Sequence, residues 1–476
     1  MLMRIGGVDA EPGNDSWIPV INPATGDEID RVPEGTKDDV ERAVAAADAA
    51  FFVWKKKTQR ERGMILFRAA GIVREQHKDL ARLLTTEQGK PLRESIDEIR
   101  GFANILEFYA GISGAQNGEL VRLGATGDAL VTREPLGICG AIIPWNMPVL
   151  IMGWKVGPAL LAGNTLVLKP ASSTPLTTLR LTQILDTVGL SPGTLNIITG
   201  PGETVGEAIA EHPSIKKLSF TGNYATGQRI RERAAGSIKE LTLELGGSDP
   251  MIVMPDADIN KAVDGAIRGR FYNAGQTCTA VKRLFVHESI ATEFSRKLKQ
   301  NAEALRLGNG LDTGTDMGPL NSAIQRERIE ILINKVQDAG QGTILTGGTR
   351  PEGAEYSRGF FFRPTVVSDV EKTSGLLTGE VFGPVLPVVP VPDLDTAITE
   401  ANRTSYGLGA SIWTNNLHTA KRAFDEIHAG IIWVNRHLTV PPEIPFGGMN
   451  ESGLGRENGL HALESYSRTK TLLLGW

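Results

Sequence analysis

The stretch from residue 137 to residue 244 constrains the fold more than any other part of the chain. Short apolar runs at 138–143, 165–169, 195–199, 215–220 and 239–244 alternate with helical periodicity at 149–162, 176–188, 203–211 and 224–235. Strands that are apolar along their whole length are buried on both faces, and helices crossing between them make them parallel. The expectation is an α/β domain, a parallel sheet covered by helices. Such sheets bind ligands beyond the carboxyl ends of their strands.

A chain of 476 residues is too long for one ordinary core, so two or three domains are expected. With 41% hydrophobic and 22% charged residues, the composition is that of an ordinary globular protein. A net charge of −5 with interspersed signs shows no nucleic-acid stripe and no polybasic membrane patch, so neither partner is expected. The two cysteines preclude a disulfide framework and fit a reducing compartment. No apolar run reaches about 18 residues, and Met1-Leu-Met-Arg-Ile-Gly-Gly7 lacks the apolar core of a signal peptide. A cytoplasmic location is the default expectation, and no metal site is expected.

Residues 1–36 are rich in turn formers such as Asn22-Pro23 and Thr25-Gly26. Residues 37–114 read as helical, with Ile65, Leu66, Ala69, Ala70 and Val73 at helical spacing. Gly89-Lys-Pro91 separates the last two of these helices. Residues 119–123 and 128–133 flank Gly124-Ala-Thr-Gly127 as a β-hairpin that reads as polar on both faces. A ribbon that pairs with another subunit and a plain exposed hairpin both fit. A second α/β region runs from 246 to 445, with a helix at 323–337 and strands at 385–389 and 431–435. The tail at 469–476 reads as a strand in need of a partner, another subunit being one candidate.

Asn273-Ala-Gly-Gln-Thr-Cys-Thr-Ala280 follows a helix that Asp256 or Asp258 can cap and that carries Ala262, Val263, Ala266 and Ile267. Asn273 and Gly275 look like its stop, and 281–286 reads as a strand. Cys278 thus falls on a loop between two elements, where a side chain is both held and reached. It is either a nucleophile or a small buried hydrophobe. Cys139, inside an apolar strand, reads as core.

The strand ends carry further candidates, each with a bland alternative. Gly222 and Gly227 let backbone approach a ligand, and the helix start beside them offers N–H groups to a phosphate. The dinucleotide G-x-G-x-x-G spacing is absent there, and Gly200-Pro-Gly202…Gly206 misses it too. Lys169 can meet a ribose hydroxyl or a phosphate, or be merely solvated. Glu244, before Leu245-Gly-Gly247, becomes a candidate general base if desolvation raises its pKa, and an ordinary edge carboxylate if it does not. Asn146 in Pro144-Trp-Asn146 can donate to a developing oxyanion, or simply sit in a turn.

Taken together, these motifs resemble the aldehyde dehydrogenase superfamily over essentially the full chain. The matching residues are Pro144-Trp-Asn146, Lys169-Pro-Ala171, Phe220-Thr-Gly222 with Gly227, and Glu244-Leu-Gly-Gly247. Gly275-Gln-Thr-Cys278, Glu380-Val-Phe-Gly-Pro384 and Pro445-Phe-Gly-Gly448 with Ser452-Gly453 follow in order, and Glu244 and Cys278 stand 34 positions apart. The resemblance implies an aldehyde dehydrogenase-like fold. Residues 1–118 and 138–245 would form a Rossmann-type cofactor domain and 246–446 an α/β catalytic domain. Residues 119–137 and 447–476 would form the β-ribbon and terminal strand that build a homodimer or homotetramer.

The implied activity is NAD(P)-dependent, non-acylating oxidation of a small-molecule aldehyde to its acid. Cys278 would attack the aldehyde carbon, Asn146 and the Cys278 N–H would hold the oxyanion, and Glu244 would activate the hydrolytic water. The implied cofactor contacts are Ile142, Pro144, Trp145, Lys169, Ser172, Gly202 and Phe220 on the first half of the site. Thr221, Gly222, Asn223, Leu245, Gly246, Glu380 and Phe382 complete them, with Glu380 on the nicotinamide ribose and Lys169 on the adenosine ribose.

Several departures refine this expectation. Ser172 stands where many NAD-using relatives carry glutamate, which removes a repulsion and favours NADP, with NAD possible. Asn223 replaces a serine or threonine and can still donate through its amide. Asn450 replaces a common lysine. Tyr272 stands where succinate-semialdehyde relatives tend to carry arginine, which argues against a dicarboxylic substrate. The segment around Asn435-Arg436 resembles the lactaldehyde and glycolaldehyde branch, so a small hydroxyaldehyde (lactaldehyde, glyceraldehyde or glycolaldehyde) is the expected substrate. Trp154, Tyr272, Thr277, Thr279 and Arg436 are the expected substrate contacts. The alternatives are an aromatic aldehyde, with Trp145 and Trp433 as further walls, and succinate semialdehyde. A CoA-acylating enzyme would not need Glu244, a non-catalytic crystallin would not need the Cys278, Glu244 and Asn146 set, and a nicotinamide-free acyltransferase leaves Lys169 and Glu380 unexplained.

Overall fold

The computed structural model describes residues 1–114 and 118–475. Its first sheet is the one expected from the βα alternation. Glu240–Glu244, Ile215–Thr221, Ile138–Ile142, Thr165–Lys169 and Leu195–Ile197 lie side by side, all parallel. Antiparallel strands extend both edges: Gly453–Leu454 beside Glu240–Glu244, and Met3–Ile5 with Val8–Ala10 beside Leu195–Ile197. The register aligns the carboxyl ends, Ile142 pairing with both Lys169 and Phe220, and Thr221 with Glu244.

The helix Pro148–Ala162 is buried on almost every side, which is why its sequence is apolar around its whole circumference. Proline at its first position supplies a helical φ without wasting an N–H. It packs against Leu92–Gly111, and the approach is close enough that a Cβ on Gly157 would strike the Tyr109 ring.

A second, seven-stranded sheet runs in the order Thr343–Thr346, Thr365–Ser368, Val385–Val391, Arg283–His287, Pro250–Val253, Gly409–Trp413 and Ile431–Val434. All its pairings are parallel except the first. Its apolar residues form cores of their own against Ile259–Phe271, Glu288–Glu303 and Ala323–Asp338.

The structure refines three expectations and corrects one, the polarity of the hairpin. Residues 1–36 hold four strands as well as turns, Trp17–Ile21 and Glu28–Pro33 forming a ribbon. The terminal strand Ser467–Leu474 finds its partner within the chain, pairing along its length with Asp128–Pro135, which also pairs with Glu119–Arg122. This three-stranded sheet is not polar on both faces, since Leu120, Val121, Leu130, Leu472 and Leu473 are exposed on it. The segment 447–476 also does more than form that strand. It edges the first sheet with Gly453–Leu454 and packs the helix Gly459–Ser465 on Pro148–Ala162. Trp476 lies outside the described residues. No described helix is long and apolar enough to cross a membrane.

Candidate active site

The aligned strand ends open onto a cavity of about 1030 Å³. Ile142, Lys169, Thr221 and Glu244, each the last residue of a parallel strand, all line it. Cys278 lines the same cavity from the other side, on the loop that leads into the second sheet.

That loop is built by an unusual turn. Asp258, not Asp256, caps the helix Ile259–Phe271, accepting from the N–H groups of Asn260 and Lys261. Asp256 instead accepts from the Thr414 hydroxyl at 2.9 Å and the Asn415 N–H at 2.8 Å. After Phe271 the backbone turns left-handed at three successive residues, Asn273, Ala274 and Gly275, with φ of 50°, 53° and 75°. Alanine rarely adopts this conformation, so the surroundings must hold it. They do so with side chains: Glu94 accepts from the Asn273 N–H at 2.8 Å, and Asn273 Nδ2 donates to the Asn146 carbonyl at 2.9 Å. Gln276 donates to the Asn273 carbonyl at 2.9 Å and accepts from the Asn321 N–H at 2.9 Å.

The same net fixes Asn146. Its carbonyl also accepts from Lys90 Nζ at 2.7 Å, and Lys90 is paired at 2.6 Å with Glu98, both fully buried. Glu98 in turn accepts from Val149 and Leu150 at the start of Pro148–Ala162. One amide proton of Asn146 goes to the Gln276 carbonyl at 3.0 Å, leaving the other for a ligand. Among the described residues the Cys278 N–H has no acceptor either. Two donors thus remain beside one thiol.

The electrostatics oppose ionisation at rest. Burial pushes the Cys278 thiol up to about 12, with Lys282 pulling the other way and Asp249, Glu244 and Glu380 adding to the rise. Burial and the nearby Glu457 hold the Glu244 carboxyl well above the usual range, and neither of its oxygens finds a partner. Gly447 is tailored to that carboxyl, since a Cβ there would stand 2.7 Å from Glu244 Oε1. Lys169 is buried, donates to the Pro170 carbonyl at 3.0 Å and is pushed down to about 8 by burial.

Pro144, Trp145, Ser172, Gly202, Phe220, Gly222, Asn223, Leu245, Gly246, Glu380 and Phe382 join the strand-end residues on the cavity wall. Trp145 and Phe382 meet edge to face at 5.4 Å. The side chain of Asn223 caps the helix Tyr224–Ala234, its Oδ1 accepting from the Thr226 N–H, which leaves the amide NH₂ as a donor at a helix start on the cavity wall. A Cβ at Gly246 would run into the Glu380 carboxylate. Ser172 behaves differently from expectation: its hydroxyl donates to the Gly200 carbonyl at 3.0 Å, so the proton that would have met a phosphate is already used.

Of the expected substrate contacts, Trp154, Tyr272, Thr277 and Thr279 line the cavity. Arg436 does not: it is exposed and outside the wall. Left-handed turns at Asn435 and Leu438 carry the chain around it, while His437 turns inward and its Nε2 donates to the Thr279 carbonyl at 2.7 Å. Trp433 is buried behind the wall, its indole N–H on the Thr439 carbonyl. The sequence reading missed Lys90, Glu94 and Glu98, and also Ile105, Leu150, Val440 and Phe446 on the wall. The one signal for the first group was a lysine between a glycine and a proline, followed by a helix rich in glutamate.

A model of the aldehyde dehydrogenase family matches residues 10–472. Phenylacetaldehyde dehydrogenase of Pseudomonas fluorescens is 42% identical over 485 aligned positions, covering 100% of this chain and 96% of the relative. Betaine aldehyde dehydrogenase of Rhizobium etli is 42% identical, covering 99% and 96%. Betaine aldehyde dehydrogenase of Staphylococcus aureus in complex with NAD+ superposes with a TM-score of 0.97 at 36% identity, covering 100% and 95%. PnpE of Pseudomonas sp. WBC-3 gives 0.98 at 38%, covering 100% and 97%, and PnpE in complex with nicotinamide adenine dinucleotide gives the same values. A match over nearly every residue, on a fold whose strand ends and loop thiol open into one cavity, makes this chain a member of the aldehyde dehydrogenase family, an oxidoreductase acting on aldehydes.

Proposed function

We propose that Cys278 is the nucleophile, Asn146 and the Cys278 N–H the oxyanion donors, and Glu244 the general base. The observation that carries this reading is that a thiol, two unused donors and a buried carboxyl from different elements face one cavity. Cys278, once deprotonated, adds to the aldehyde carbon, and the two N–H groups receive the charge that develops on its oxygen. Loss of hydride from that adduct leaves a thioester on Cys278. Glu244, in its ionised form, then takes a proton from water, the water attacks the thioester carbon, and the acid departs as the thiol reforms.

The cavity fits a dinucleotide: Lys169 and the helix start at Tyr224 suit ribose and phosphate groups, and the notch that Gly246 leaves beside Glu380 suits a second ribose. A nicotinamide held there supplies the hydride acceptor. For the choice of cofactor, no carboxylate at position 172 repels a 2′-phosphate, but the Ser172 proton is committed to Gly200. We therefore expect NADP and NAD both to be used, with NADP favoured by the missing repulsion at position 172.

For substrate, Ile105, Leu150, Ile151, Trp154, Val440 and Phe446 supply apolar wall, with Asp97, Glu98, Asn104 and Thr439 lining the same cavity from the same segments. Trp154 and Phe446 lie 4.9 Å apart. These walls suit an aromatic or arylalkyl aldehyde such as phenylacetaldehyde better than a small hydroxyaldehyde, which would leave them wet. The same rings, with Tyr272, also offer faces to a quaternary ammonium aldehyde. The test follows reduced-nicotinamide absorbance with phenylacetaldehyde, betaine aldehyde, lactaldehyde and succinate semialdehyde, with NAD and NADP, and with Cys278→Ala as control. The highest kcat/KM is expected for phenylacetaldehyde. A preference for lactaldehyde overturns the substrate reading, and activity in Cys278→Ala overturns the mechanism.

A further inference from the structure

Lys282 lies four residues beyond the nucleophile, is fully buried, and has no role in the chemistry above. Its backbone N–H donates to the Asp249 carbonyl at 2.9 Å, which turns the side chain back beneath the Cys278 loop. There its ammonium donates to the Cys278 carbonyl and, at 3.3 Å, to the Thr277 carbonyl. It also forms an ion pair at 3.4 Å with Glu380 Oε1 and stands 5.9 Å from the Phe382 ring centroid. Glu380 Oε1 is steadied from the other side by the Gly247 N–H at 3.2 Å. A buried ammonium is retained only where its protons are taken up, and here they are divided between the nucleophile's own backbone and the carboxylate on the cofactor side of the cavity.

We infer that Lys282 is a positioning residue that couples the cofactor to the thiol, sharing one buried positive charge between the Cys278 loop and Glu380. The inference rests on the reading of Glu380 as the ribose carboxylate. With the ribose absent, Glu380 competes for the ammonium. Ribose hydroxyls donating to Glu380 relieve that competition, and the charge of Lys282 then acts more fully on Cys278. The thiolate is favoured when there is a hydride acceptor to follow it. Among the described residues Asp249, Glu244 and Glu380 act on the thiol in the opposite sense, and Lys282, buried against the Cys278 carbonyl, is a cation that offsets them, while Lys169, Arg268 and Arg328 stand elsewhere on the cavity wall. No proton transfer by Lys282 is involved.

The test is the pH dependence of Cys278 alkylation by iodoacetamide, read by peptide mass, with and without saturating NAD. Cys278→Ala serves as the blank, and Cys139 is too buried to compete. In the unaltered protein NAD lowers the midpoint. In Lys282→Met the cofactor-free midpoint rises by about one pH unit and the NAD-induced shift disappears. In Glu380→Gln the cofactor-free midpoint falls and the NAD shift shrinks, because the competitor is gone. NAD binding measured directly by calorimetry weakens about tenfold in Lys282→Met, as Glu380 loses its clamp. A purely structural lysine would lower thermal stability without moving these midpoints. An unchanged midpoint with an unchanged NAD shift in Lys282→Met overturns the proposal. If that variant is unfolded by circular dichroism, unchanged behaviour in Glu380→Gln overturns it instead. Absence of NAD and NADP binding by the unaltered protein would refute the cofactor reading of the cavity rather than the role of Lys282.

Discussion

Replacing Glu244 by glutamine separates the catalytic and the energetic consequences of one buried carboxyl. Both oxygens of Glu244 are buried without partners, and burial with Glu457 nearby raises its pKa well above the ordinary value. The sign follows from linkage: a carboxyl whose folded pKa exceeds its unfolded pKa of about 4.3 holds its proton in the folded state, so stability declines as pH rises past that unfolded value. Each unit of difference costs about 1.4 kcal/mol once pH has passed the folded pKa. Glutamine has the same shape and nothing to ionise. Glu244→Gln should therefore match the parent near pH 4 and unfold at increasingly higher apparent temperature than the parent as pH rises to 9. Its steady-state rate should fall by about 10²- to 10⁴-fold, the range for loss of a general base. A burst of one reduced nicotinamide per Cys278 should survive, because attack and hydride loss precede the hydrolysis that Glu244 serves. Stopped-flow absorbance and thermal unfolding at three pH values make the check. An unchanged turnover, or a stability difference that does not grow with pH, would refute the argument.

Ser172→Glu should cut kcat/KM with NADP by about tenfold or more while sparing NAD, because a carboxylate there faces the 2′-phosphate; the ratio of the two values is the readout. Lys90→Met strands Glu98 in the interior and removes a donor from the Asn146 carbonyl, so it should cost about 3–5 kcal/mol in chemical denaturation. Gly246→Ala pushes a methyl group into the Glu380 carboxylate and should raise the cofactor KM about tenfold with little change in unfolding midpoint.

Much of this site was legible because local and global signals agree around the first sheet. Apolar runs ended at Lys169 and Glu244 in the sequence, and both are the final residues of their strands. The break at Asn273–Gly275 was legible because asparagine and glycine tolerate φ > 0, although nothing in the sequence marks Ala274 as left-handed. Short strands such as Pro250–Val253 and Gly409–Trp413 were not readable, since four or five apolar residues carry no period that distinguishes strand from helix. Lys90, Glu94, Glu98 and Lys282 were missed for a different reason. A charged residue that is buried looks in sequence like one that is solvated, and its partner stands far along the chain: Glu94 meets Asn273, and Lys282 meets Glu380. Arg436 was misplaced by the reverse error, a cation assigned to a cavity that the turns at Asn435 and Leu438 carry it away from.

The proposed base and nucleophile come from different sheets, Glu244 closing a strand of the first and Cys278 preceding a strand of the second. The loop that presents the thiol is held from both sides, by Glu94 and Asn146 upstream in the chain and by Asn321 downstream. During synthesis the upstream half is complete long before Asn321 and Glu380 leave the ribosome. A chain that ends before Asn321 carries Cys278 with its upstream contacts to Glu94 and Asn146 but without Asn321 and Glu380. The cavity wall around the thiol is therefore complete only once Glu380 and the segment 438–446 are in place, residues that follow Cys278 by more than a hundred positions.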